Sequence, residues 1–207
     1  MTATPLPPLP PMFGVTDDDV RPGGRSMLDL LVEDHHQLRQ LCALLADGYD
    51  HSVQDVLIAT ASRHLSAEEQ YLYPTARTVL PDGGSVADHE IVADAELLNT
   101  LRRLRATAPD HESHDVLVES VGSQVRRHAQ RTARDIFPAL RERCSTNELI
   151  RLGNRVQVAR EAAPTRPHPG TPHTPPLNKV VDPAVGVLDK VRDALTGRTT
   201  WPQDLVR

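Results

Sequence analysis

The sequence is poor in aromatic residues, which make up 3% of its 207 residues. With 39% hydrophobic residues, its core has to be built from Leu, Val, Ile and Ala, as helical bundles often are. Cysteine is also scarce, and Cys42 and Cys144 show no local pairing pattern, which indicates reduced thiols rather than a disulfide framework. Lysine is nearly absent, and the preference for arginine indicates a GC-rich bacterial genome.

Other absences narrow the functional class. No apolar stretch is long enough to span a bilayer, and the Pro-rich start "MTATPLPPLPPMFG" lacks the features of a signal peptide. The net charge of −5 and pI of about 6.0 do not resemble a nucleic-acid footprint. We therefore expect a cytoplasmic protein that binds neither nucleic acid nor a membrane.

Apolar residues recur at helical spacing, and no segment alternates with period two for long enough to predict a strand. The pattern predicts an all-α, up-down-up-down four-helix bundle with a fifth helix and a Pro-rich C-terminal tail that ends in a short helix. The predicted helices span 27–46, 53–79, 86–107, 114–143 and 146–162. The predicted regions are a loosely packed or disordered arm (1–25), the bundle (26–162), a Pro-rich linker (163–178) and an amphipathic segment (179–207) with its helix at 183–196.

Polar residues mark the helix ends. Ser26 and Ser85 are expected to cap the first and third helices, and Ser52 with Asp55 resembles a capping arrangement for the second. The "STNE" at 145–148 predicts a capping box for the fifth helix. Pro74 lies inside the second helix, where we expect a kink or a break.

Each of the four bundle helices carries one histidine on the stripe that should face the core. In each antiparallel pair of helices, first with second and third with fourth, the two histidines are about equally far from the connecting turn. They should therefore lie at the same height, to within about one helical turn. Glu68 lies one turn after the second of them, on the same face. The predicted inward histidines are His35, His64, His89 and His128.

Four imidazoles and a carboxylate in one core suit a transition metal such as Fe, Mn or Zn. A buried carboxylate is unfavourable without a charged or protic partner, and a cation would meet Glu68. Two other interpretations are that the histidines are ordinary core residues and that Glu68 pairs with an arginine. Tyr71 and Tyr73 follow Glu68, and packing is their favoured interpretation. The alternative is that one of them hydrogen-bonds to a residue around the site.

The segments "EDHHQLRQL", "RHLSAEEQYLYP", "DHE" and "RRHAQRTARDIFPAL" carry a resemblance to a known family. Over residues 27–143 the chain resembles the hemerythrin-like, HHE cation-binding family. The resemblance implies a four-helix bundle holding a non-haem di-iron site. Members of the family carry oxygen, sense iron, oxygen or redox state, or handle peroxide and nitric oxide. The metal ligands implied by the resemblance are His35, His64, Glu68, His89 and His128.

The chain departs from the family pattern at one position. The family usually has an acidic residue one turn after the fourth-helix histidine, where it bridges two irons, and this chain has Thr132. The loss leaves enough ligands for one metal. A second site would need water, oxide or another acid, such as Glu69, Glu90 or Glu96.

The leading hypothesis is therefore a non-haem iron protein that binds or reacts with O2, peroxide or nitric oxide in sensing or detoxification. If it is an enzyme, the resemblance implies catalase-like, peroxidase-like or nitric-oxide-handling activity. One alternative is a mononuclear Zn or Mn site in the same bundle. Another is a metal-depleted interaction protein that acts through its C-terminal tail, and the tail is also a candidate contact between protomers of a homo-oligomer.

Overall fold

A computed structural model of the chain describes residues 22–163, 165, 189, 193 and 198–206. Every regular element in these residues is helical, as predicted. None of the described helices combines the length and the apolar character needed to cross a membrane. The α-helices are α1 (Met27–Asp47), α2 (His51–Ala67), α3 (Tyr73–Val79), α4 (Gly83–Ala106), α5 (His114–Arg131), α6 (Phe137–Arg143) and α7 (Thr146–Ala162), and a short 3-10 helix spans Pro202–Val206.

Two long helices continue through a π-helical turn instead of breaking at a proline. The first π segment, Glu68–Leu72, joins α2 to α3, and the second, Thr132–Ile136, joins α5 to α6. In the first, the N–H of Tyr73 donates to the carbonyl of Glu68, five residues back. Pro74 follows directly, and a proline has no N–H to donate and crowds the carbonyl four residues before it. The interruption expected at Pro74 is therefore a wider turn just before it.

Two of the predicted caps are confirmed. The Ser26 side chain accepts the N–H of Asp29 at the start of α1, with a distance of 3.2 Å between the two atoms. At α7, Ser145 and Glu148 form the predicted capping box, in which each side chain accepts the other residue's N–H. Both helices begin where the sequence placed them.

The other two caps were wrong. The carboxylate of Asp50, rather than Ser52, caps α2, because it accepts the N–H groups of both Ser52 and Val53. An ionised carboxylate is a stronger acceptor at a helix N-terminus than a hydroxyl. Helix α4 begins at Gly83, so Ser85 lies inside its first turn and does not cap it.

The helices form a closed ring of neighbours. Helix α1 packs against α2 and α5, while α4 packs against α3 and α5. Helix α7 lies outside this ring, against α1, α2 and the first π segment. The four-helix bundle and the additional fifth helix are thus both present.

The apolar core is divided into two clusters by a polar layer. On α1, Leu31 belongs to one cluster and Leu38 to the other, with buried His35 between them. On α5 and the segment after it, Val125 and Ile136 belong to opposite clusters in the same way. The bundle therefore holds its polar residues in the middle of the core, away from either end.

The described C-terminal residues lie against α2. The guanidinium of Arg63 lies over the Trp201 ring, 3.8 Å from its centroid, and donates to the carbonyl of Thr200. Arg198 pairs with Asp55 at 2.7 Å, and both side chains are buried. Of the predicted helix at 183–196, only Asp189 and Asp193 are described, and both are helical and buried. The rest of that helix, most of the arm and most of the linker lie outside the described residues.

Close packing of α7 on the start of α1 yields a stability prediction. A Cβ at Gly153 would overlap the carbonyl of Arg25 and approach the N of Met27 to 2.9 Å. Because backbone atoms cannot easily move aside, we expect Gly153→Ala to lower the free energy of unfolding by about 2 kcal/mol despite alanine's better helix propensity.

The matched control is Gly84→Ala, because Gly84 is also helical and a Cβ there would only just reach the end of the Arg77 side chain. Urea unfolding of both variants measures the difference. Equal stability of the two variants would contradict the close contact between α7 and α1.

Candidate metal centre

Three histidines and one glutamate meet in the polar layer. They lie on α1, on α2 with its π segment, and on α5. Each offers one donor atom within 4.8 Å of the donor atoms of all the others. All four side chains are buried. The members of this four-donor group are His35, His64, Glu68 and His128.

The Nε2 atoms and the carboxylate converge on one point. The Nε2 atoms of His64 and His128 are 3.2 Å apart. Glu68 Oε1 lies 3.4 Å from Nε2 of His64 and 3.6 Å from Nε2 of His35. The other oxygen, Oε2, lies 3.1 Å from Nε2 of His128. Three imidazoles and a carboxylate are a donor set that suits Fe, Mn or Zn.

The three rings stand nearly perpendicular to one another. The centroids of His35 and His64 are 4.6 Å apart at 70°, and those of His64 and His128 are 5.4 Å apart at 89°. His35 also stacks on Phe137, whose ring lies 5.9 Å away at 15°. Packing on several sides therefore fixes the direction in which each ring nitrogen points.

Burial keeps His35 neutral. Burial lowers the pKa of His35 to about 4, against the raising effect of the nearby Glu68 carboxylate. Its ring is therefore uncharged at neutral pH. A neutral imidazole is the form that binds a metal.

Glu68 and His128 stabilise each other's charged forms. Burial by itself would raise the pKa of Glu68, but His64 and His128 outweigh burial and hold that pKa well below its usual value. Burial would likewise lower the pKa of His128, yet Glu68 and Asp94 hold it well above its usual value. In the metal-free protein the proton on His128 is therefore the charge that meets Glu68, and a bound cation would displace this proton.

Two buried atoms indicate that a cation fits the group. His35 Nε2 and Glu68 Oε1 find no hydrogen-bond partner within the described part of the chain. Buried polar atoms are normally satisfied, and an unsatisfied pair calls for an explanation such as an ion. Both atoms belong to the four-donor group, so the residues present fit a metal.

His89 was predicted to face the core as a fifth ligand, and this prediction was wrong. Its side chain is 69% exposed, and its Nδ1 lies 3.5 Å from Glu90. The helix geometry explains the difference: at 100° per residue, His89 is about 80° from Leu97 around α4, whereas Glu90 is about 20° away. Because Leu97 faces the core, Glu90 is buried and His89 is turned outwards.

A second set of donors lies on the far side of the His128 ring. Glu90, Asp94 and His128 form an acidic group whose donor atoms also lie within 4.8 Å of one another. His128 Nδ1 is 3.0 Å from Asp94 Oδ1. Arg131 donates two hydrogen bonds, of 2.6 and 2.9 Å, to the Glu90 carboxylate. His128 thus presents one ring nitrogen to each group.

Tyr73 connects the two groups. Its hydroxyl lies 2.9 Å from Glu68 Oε2 and 2.5 Å from Asp94 Oδ2. Burial and the two carboxylates raise its pKa well above the usual value, so it stays protonated and donates. Of the two interpretations offered for this tyrosine, the structure therefore supports the hydrogen bond, because its hydroxyl contacts a member of each group.

Thr132 contributes no ligand to either group of the described residues. Its hydroxyl donates back to the carbonyls of His128 and Ala129 in its own helix. Of the acids named as possible substitutes, Glu90 belongs to the acidic group, and Glu96 is exposed. Glu69 is buried but belongs to neither group.

Sequence reasoning missed Asp94 and Asp34. Asp94 has a readable signal, because Glu90, Asp94 and Leu97 follow the spacing of four and three that marks the buried face of α4. Asp34 has none, since it adjoins His35 and its partners lie on distant segments. Burial would raise the pKa of Asp34, but His64 and Arg160 outweigh burial and lower it.

The fold and the site together define a helical bundle with a buried group of side chains that could bind a metal cation. The family model described as "Hemerythrin HHE cation binding domain" matches residues 26–140. The chain belongs to this family, as its resemblance implied. An uncharacterized hemerythrin-like protein of Schizosaccharomyces pombe is 25% identical over 183 residues, which cover 84% of this chain and 87% of that protein. No solved structure gives a significant match.

The positions of His35 and His89 predict that replacing His35 weakens metal binding, whereas replacing His89 does not. We expect His35→Ala to weaken binding of Co2+ to the metal-free protein by about tenfold or more, because it removes a donor from the four-donor group. His89→Ala should leave the affinity unchanged, because this side chain lies outside both groups. Titration followed by visible absorption measures both variants, and an equal loss in the two would contradict the geometry.

Proposed function

We propose that this chain is a non-haem iron protein whose principal ion is held by His35, His64, Glu68 and His128. The convergence of three Nε2 atoms and one carboxylate on a buried point is the observation that carries the proposal. Bound iron would supply coordination positions for O2, peroxide or nitric oxide. Family membership supports a cation, while iron and these small molecules are the proposed refinement.

The residues around the group suit a site for small molecules. The two apolar clusters exclude bulk water from the donors on both sides. Tyr73 holds a proton between Glu68 and Asp94, directly beside the four-donor group. We therefore propose sensing or detoxification of O2, peroxide or nitric oxide as the role.

Metal content tests the proposal directly. We expect protein from iron-supplemented cells, purified without a chelator, to contain at least one iron per chain and to change its visible absorption when nitric oxide is added without air. Glu68→Gln should lose most of the iron, because it removes the only anionic donor of the four-donor group.

Glu96→Gln is the matched control, because Glu96 is exposed and belongs to neither group. Zinc or manganese in place of iron would support the mononuclear alternative instead. Wild-type protein without any metal, and with no metal-dependent gain in thermal stability, would contradict the proposal and favour an interaction protein.

The two carboxylates of the acidic group, Glu90 and Asp94, are the proposed place of a second ion, because a neutral His128 offers a lone pair to one ion only. The contacts predict weaker binding there, because the Arg131 guanidinium that donates two hydrogen bonds to Glu90 would repel a second cation. The two ions of the di-iron pattern would then bind with unequal affinity. Thr132, which offers no carboxylate, points in the same direction.

Stepwise titration with Mn2+ tests this inequality. We expect two binding steps, with the weaker step lost in Asp94→Asn and strengthened in Arg131→Gln, which frees the Glu90 carboxylate. The stronger step should remain in both variants. A single step of unchanged affinity in all three proteins would show that only the four-donor group binds an ion.

A further inference from the structure

The outer nitrogen of His64 is held by a buried carboxylate. His64 Nδ1 lies 3.1 Å from Oδ2 of Asp34 on α1. The guanidinium of Arg160, on α7, pairs with this same oxygen and donates to the carbonyl of Leu30 at 3.0 Å. The side chains form a chain of contacts from α7, outside the four-helix ring, to a member of the four-donor group.

These contacts determine which nitrogen of His64 carries the proton. An ionised carboxylate only accepts hydrogen bonds, so Asp34 favours the proton on Nδ1. The Nε2 lone pair then faces His128 Nε2, 3.2 Å away, and Glu68 Oε1, 3.4 Å away. This is the form of the ring that binds a metal through Nε2.

The pair is not an ordinary surface ion pair. Asp34 is buried, and the Arg160 side chain is 17% exposed. Helix α7 is fixed in place by its capping box and by the close contact of Gly153 with the start of α1. Arg160 therefore approaches Asp34 from a rigid element, which suits it to fix an orientation.

We propose that Asp34 and Arg160 are positioning residues that fix the tautomer and orientation of His64, and thereby couple α7 to the cation affinity of the four-donor group. The effect on cation affinity rests on the proposed function, because it assumes that the four-donor group binds a cation. The effect on His64 is a property of the metal-free protein as well. The two ideas can therefore fail separately.

The first test is the tautomer of His64 in metal-free protein. Long-range ¹H–¹⁵N NMR of histidine side chains, recorded at a pH at which the His64 ring is neutral, should show its Nδ1–H form in the wild type. In Asp34→Asn the neutral amide can donate to Nδ1, so we expect the Nε2–H form to become populated. Glu33→Gln is the control, because Glu33 is exposed and pairs with Arg25.

The second test is affinity for Co2+, measured by competition with a chelator. We expect Asp34→Asn to weaken binding by about 10-fold to 100-fold and to alter the visible bands of the bound Co2+. Arg160→Gln should give a smaller loss, with Arg160→Lys between it and the wild type, since lysine keeps the charge without the planar fork. Thermal unfolding of the metal-free variants identifies any that fail to fold.

The outcomes separate the two proposals. Unchanged tautomer and unchanged Co2+ affinity in folded Asp34→Asn and Arg160→Gln would overturn the positioning role and leave the proposed function intact. No Co2+ or iron binding by the wild type would overturn the proposed function, while the NMR result would still decide the role of Asp34. Lower stability with unchanged affinity would show that the pair is structural only, which also contradicts the inference.

Discussion

The burial of the Glu68 carboxylate is the constraint on which the rest of the site depends. A carboxylate without solvent exposure is stable only when positive charge or donated protons surround it. Three imidazoles and the Tyr73 hydroxyl meet this requirement, and in the metal-free protein the proton of His128 provides the charge. The same geometry that accommodates this proton offers a cation an anionic oxygen and several ring nitrogens.

The helices are built to place this polar layer in the middle of an apolar core. Both π segments begin one turn after a site histidine, at Glu68 and at Thr132, and both end before an aromatic residue followed by proline. The two aromatic residues are Tyr73 and Phe137, which respectively hydrogen-bond to Glu68 and stack on His35. The widened turns therefore accommodate the prolines and aim these rings at the site.

The helical fold and all four members of the four-donor group could be predicted from the sequence, because each residue lies on a long helix with a regular apolar stripe. His89 was misplaced because two steps of four residues lead from it to Leu97, and such steps rotate the side chain by about 80° around the helix. Steps of four and then three residues lead from Glu90 to Leu97 and keep both side chains on one face. Asp34 and Arg160 could not be predicted, since their meeting depends on how α7 packs against α1. Local spacing contains no information on such a distant contact.

The carboxylates of the acidic group lie on α4 instead of on the helix of His128, and this position sets the charge around the His128 ring. The family pattern has an acid one turn after the fourth-helix histidine, and the resemblance implied His89 as the ligand on the third helix. Here Thr132 occupies the fourth-helix position, and α4 contributes Glu90 and Asp94. The His128 ring consequently has a carboxylate at each nitrogen and is protonated in the metal-free state, while His35 is neutral. A cation entering the four-donor group must therefore displace a proton held by two acids, so its affinity falls as the pH is lowered.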